Sequence, residues 1–69
     1  MTRANVERTL IKLAQRIREE FEEAPDLRIS VAEGSRFWGL DEETCAQVLS
    51  RLHADGVLTK GSDQRYGPL

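Results

Sequence analysis

Apolar residues along this chain fall into three stretches with helical spacing and one that alternates. Between about residues 5 and 24, Val6, Leu10, Leu13, Ala14, Ile17, Phe21 and Ala24 step by three or four, which places them on one face of a long amphipathic helix. Val31, Gly34, Ser35 and Trp38 repeat the pattern over about 31–38, and Cys45, Val48, Leu49 and Leu52 repeat it over about 42–54, with Leu40 in the seam between them. Beyond these, about 57–67 reads as strand, turn and strand: Val57 to Lys60, Gly61 to Gln64, and Arg65 to Gly67. Leu27-Arg28-Ile29 alternates like a short strand ahead of the second helix.

Polar residues supply the boundaries. Ser30 followed three positions later by Glu33 is a capping box, in which each side chain accepts from an orphan backbone N–H at a helix start. Gly39 gives the backbone freedom to stop that helix, and Asp41 caps the next, with Glu42 and Glu43 facing the positive end of its dipole. Asp55-Gly56 ends the third helix through a left-handed glycine, and Pro25-Asp26 breaks the chain after the first. Gly34 costs about 1 kcal/mol relative to alanine inside a helix, so its use implies the close approach of a neighbouring helix.

Two large apolar residues within the helical stretches fall outside the stripes. Ile11 lies off the Val6–Leu10–Ile17 face, and Phe37 adjoins a core-directed Trp38, so its ring points either against the first helix or toward solvent. Together they would suit a contact between two copies of the chain, although packing within one copy accounts for them more simply.

The order of small residue, glycine, apolar residue and cap at Ser35, Gly39, Leu40 and Asp41, followed by Cys45 and Val48, resembles a helix-turn-helix. A hairpin directly after the second of those helices is similar to the wing of the winged helix-turn-helix superfamily of small bacterial DNA-binding domains. The resemblance covers about Leu27 to Tyr66. It implies one α+β domain over residues 1–69, with three helices and a small antiparallel sheet built from Leu27–Ile29 and the Val57–Tyr66 hairpin. It further implies a transcriptional regulator whose 42–54 helix enters the major groove of duplex DNA; cytoplasmic residence is expected separately, as the default for a chain with no bilayer-spanning run and no signal-peptide pattern. In that setting Gln47 would bond adenine, Arg51 would reach guanine or a phosphate, and Ser50 and Thr44 would contact phosphates. Lys60 and Arg65, with Ser62 and Gln64 near the tip, would bring the wing to the backbone or minor groove.

Charge complicates that expectation. The net charge is −2 and the pI about 5.3, whereas phosphate neutralisation dominates duplex affinity. Residues 1–18 carry +4, residues 19–26 carry −5, and the remainder carries −1. The glutamates therefore sit at the negative end of the first helix, against its dipole. Local pairs such as Arg16 with Glu20 and Arg18 with Glu22 would soften this by about 0.3 kcal/mol each. Alternatively Arg8, Lys12 and Arg16, on successive turns, touch phosphates or an acidic partner. A basic footprint needs these to gather with Arg28, Arg51, Lys60 and Arg65. The rival expectation is an acidic interaction module on the same fold that binds a protein and no DNA.

Other classes find little support. A single cysteine and the single histidine, His53, offer neither a disulfide nor a metal set, and Cys45 reads as a small buried hydrophobe. His53 reads as a surface residue on the helix flank, with no nucleophile–base pair and no phosphate-binding glycine loop, so neither an enzyme nor a cofactor is expected. No apolar run is long enough to span a bilayer. At 69 residues the core is small, and every apolar residue in register should enter it.

Overall fold

The computed structural model describes the backbone from Arg3 to Leu69 and side chains from Glu7 onward. Helix α1 spans Arg3–Glu23, α2 Val31–Trp38 and α3 Glu42–Ala54; strands β1, Leu58–Lys60, and β2, Tyr66–Pro68, follow them. This α+β layout, three helices and then an antiparallel hairpin, is consistent with a winged helix.

The caps form where the polar residues place them. Ser30 Oγ accepts from the backbone N–H of Glu33 at 3.2 Å while Glu33 Oε1 accepts from that of Ser30 at 3.0 Å, closing the capping box at the start of α2. Gly39 takes the left-handed conformation at φ 66°, and its N–H returns to the Ser35 carbonyl. The Ser35 hydroxyl donates to the carbonyl of Leu40, tying the turn to the helix before it. Asp41 then caps α3 by accepting from the Thr44 N–H at 3.0 Å.

One core joins α1, α3 and both strands: Ala14, Ile17 and Phe21 from α1, Cys45, Val48, Leu49 and Leu52 from α3, with Ile29, Leu58 and Tyr66; α2 packs on it through Val31 and Trp38. Leu10, Leu13, Leu27, Val31, Trp38, Leu40 and Val57 pack around it. Gly34 is buried where α2 crosses α3, and an added Cβ would stand 2.9 Å from Cys45 Sγ. One end of the first stripe departs from expectation, and the other is not described. Helix α1 stops at Glu23, which leaves Ala24 exposed rather than buried, and the side chain of Val6 lies outside the described residues.

The predicted three-stranded sheet is reduced. Leu27–Ile29 forms no strand; Ile29 alone bridges to Tyr66, through reciprocal bonds of 2.9 and 2.8 Å. The chain has no room for more, because the Leu27 N–H closes a turn onto Ala24 and Ser30 already begins α2. The sheet proper is two-stranded, with Leu58 opposite Pro68, Thr59 opposite Gly67 and Lys60 opposite Tyr66. Val57 serves to close α3, its N–H reaching the Leu52 carbonyl at 2.9 Å.

Candidate functional site

Helix α3 buries Cys45, Val48, Leu49 and Leu52, so at 100° per residue its opposite side must face solvent. That side presents Glu43, Gln47, Ser50 and Arg51, all exposed. Arg51 has no acid within ion-pairing distance among the described residues. Three of the six residues singled out from the sequence, Gln47, Ser50 and Arg51, thus share one open helical face.

Thr44 is otherwise engaged. It is half-buried, and its hydroxyl donates to Asp41 Oδ1 at 2.7 Å, so it completes the N-cap of α3. Donation from that hydroxyl and from the Thr44 N–H holds the Asp41 carboxyl below its ordinary range. Asp41, Glu42 and Glu43 remain a block of negative charge beside Gln47, as the sequence foretold.

The two wing cations have distinct settings. Lys60 is exposed, with its ammonium 5.4 Å from the centre of the Tyr66 ring, a cation–π distance that leaves it free to solvent on its outer side. Arg65 reaches back to α2, where its guanidinium donates to Glu33 Oε2 at 3.1 Å. Glu33 therefore divides its two oxygens between the cap of α2 and the wing. The Ser30 N–H first, and Arg65 with it, keep the Glu33 carboxyl below its usual range. The hairpin turn itself closes through Gly61 and Arg65, with Gln64 in the left-handed region at φ 65°.

His53 plays a part that its sequence position concealed. Its Nδ1 lies 3.1 Å from the Leu58 carbonyl. A carbonyl only accepts, so Nδ1 carries the proton and donates. The ring also meets Tyr66 edge-on at 6.1 Å, so His53 fastens the end of α3 to both strands of the wing. The available signal was its place in the last turn of α3, just before a glycine that folds the following strand back over it. Glu33 and Arg65, 32 positions apart, carried no local signal at all.

The basic residues do not gather. The buried stripes of α1 and α3 face each other, so their outer faces point in opposite directions. Arg8 and Lys12, on the outer side of α1, are turned away from Arg51. Arg18 pairs loosely with Glu22 at 3.8 Å, whereas the expected Arg16–Glu20 pair does not form. Ile11 and Phe37 separate too. Phe37, 64% exposed, borders a cleft of about 240 Å³ with Leu13, Arg16, Ile17, Glu20, Trp38 and Leu40, while Ile11, 44% exposed, sits round the other side of α1. Among the described residues, the Trp38 indole N–H, buried near this cleft, has no hydrogen-bond partner.

Cys45 is fully buried, and burial, with Asp41 and Glu42 behind it, pushes its thiol upward. Among the described residues no group of His, Cys, Asp and Glu is arranged to hold a metal ion, and no helix is long and apolar enough to cross a membrane. Comparison of the chain with protein-family models, with curated proteins and with solved structures gave no match.

Proposed function

We propose that this chain is a winged-helix domain that binds duplex DNA, acting as a transcriptional regulator through the outer face of α3 and the hairpin beside it. The observation that carries this is the open Gln47–Ser50–Arg51 surface on a helix whose other side is wholly committed to the core. A helix so mounted fits the major groove, where Gln47 has the geometry for adenine and Arg51 that for guanine or phosphate. Ser50 suits a phosphate, and Lys60 extends the contact along the backbone. Thr44 acts indirectly, by holding the first turn of α3. Arg65 contributes to a phosphate only when it leaves Glu33. No part is assigned to catalysis, cofactor or metal.

The acids at Asp41, Glu42 and Glu43 favour a second function, a protein-interaction module using the same surface. One titration separates the two. Amide NMR spectra are recorded as mixed-sequence duplex is added at low salt, and the salt is then raised. Shifts confined to Glu43–Arg51 and Lys60–Arg65 that fade with salt are the expected result; a spectrum that does not move excludes DNA and leaves the interaction module. Arg51→Ala with Lys60→Ala should lower the slope of log affinity against log salt by about one for each phosphate no longer neutralised.

A further inference from the structure

The outer face of α1 carries charge in an order that its own backbone opposes. Arg8 and Lys12 lie toward the positive end of the helix and Glu19, Glu22 and Glu23 at the negative end; the first turn has no acid and the last no base. All five are exposed, and the Arg18–Glu22 pair, at 3.8 Å in solvent, offsets little of this. At 100° per residue, Arg8, Lys12, Gln15, Glu19 and Glu23 fall within a strip about 80° wide, turned away from Ala14, Ile17 and Phe21. The strip reads basic, basic, neutral, acidic, acidic, and so it is complementary to its own reverse.

We infer that two copies of this chain dock through α1, antiparallel, with Lys12 of each copy against Glu19 of the other and Arg8 against Glu23. Positions 12 and 19 share a midpoint with positions 8 and 23, between residues 15 and 16, so one two-fold axis satisfies all four contacts together. The same arrangement sets each helix end beside the opposite end of its neighbour, which removes the conflict with the dipole. A nucleic acid would be repelled by the acidic half, and a uniformly charged protein would match only one half; a second copy matches both. Ile11 borders the strip on one flank and Arg16 on the other, both exposed, so charge rather than apolar burial sets the register. A strip about 22 Å long and roughly 10 Å wide is a small interface, held by charge and loosened by salt. In this pair the two α3 faces point away from each other, as two separate surfaces.

Sedimentation equilibrium of the whole chain tests this at low and at high salt, with Lys12→Glu, Glu19→Lys and the double variant, each checked for helical circular dichroism. The wild type should dimerise at low salt and dissociate at about 0.5 M, where charges are screened within a few ångströms. Each single reversal disturbs two symmetry-related contacts and should raise the dimer Kd about tenfold or more. The double variant should restore the wild-type Kd, and so should an equimolar mixture of the two single variants, because each then faces the other's reversed charge. A wild type that stays monomeric at low salt, single variants that dimerise unchanged, or a double variant as weak as the singles would overturn the docking.

Discussion

A methyl group at position 34 would stand 2.7 Å from the Trp38 ring and 2.9 Å from Cys45 Sγ, closer than carbon tolerates. Gly34→Ala gains helix propensity but must push α2 off α3, and a net loss of about 1–3 kcal/mol in urea unfolding is expected. Trp38, the sole tryptophan, reports the event through its fluorescence. Acid sensitivity is likewise set by single residues. The carboxyls of Glu33 and Asp41 titrate below their ordinary ranges in the folded chain, so the unfolded chain binds protons first as pH falls. Their stabilisation is complete above the usual carboxylate range and is lost as pH drops through their lowered values. The thermal midpoint should therefore fall between about pH 5 and pH 3, and less steeply in Asp41→Asn, whose own midpoint starts lower. Cys45, with its raised thiol and no exposure, should resist thiol reagents in the native chain and react fully in denaturant.

At the scale of elements, the three helices were legible because their causes are local. Ser30 with Glu33, Gly39, Asp41 and Asp55-Gly56 each act within four residues of the end they define, and the apolar spacing needs no distant partner. The hairpin was legible as a hairpin, but its attachment was not. Leu27–Ile29 alternates well enough for a strand, yet Pro25 on one side and the cap of α2 on the other leave a single residue able to pair. The contact of Arg65 with Glu33 depends on which elements the fold brings alongside, and nothing near either residue in the chain says so; His53 left only its place in the last turn of α3, ahead of Gly56, as a signal. Within the site, Gln47, Ser50 and Arg51 followed from periodicity, whereas Arg65 was expected to face outward and is held by Glu33. Glu33→Gln keeps an acceptor for the cap while releasing the guanidinium. If Arg65 then turns to a phosphate, duplex affinity measured by anisotropy at low salt should rise, and the salt slope should steepen by about one. In the turn, Gln64 holds a conformation that glycine adopts more readily, so Gln64→Gly should stabilise the hairpin by about 0.5–1 kcal/mol.

At the scale of the whole molecule, ten buried residues among those described, from α1, α3, both strands and Ile29, make one core against which α2 packs, and no element has a core of its own. Changes in any one of them should therefore be felt in all, and unfolding monitored at Trp38 and at the hairpin amides should give coincident transitions. The Ile29–Tyr66 bridge adds a kinetic side to this unity. Each of those residues donates to the other's carbonyl, across a loop of 37 positions that encloses α2 and α3. Both bonds belong to one bridge, so the two amides should open together and show equal protection against hydrogen–deuterium exchange once each is corrected for its intrinsic rate. Closing so long a loop carries an entropic cost that the local helices do not bear. The wing should accordingly arrive last in folding, and its first departure should be written in the paired exchange of those two amides.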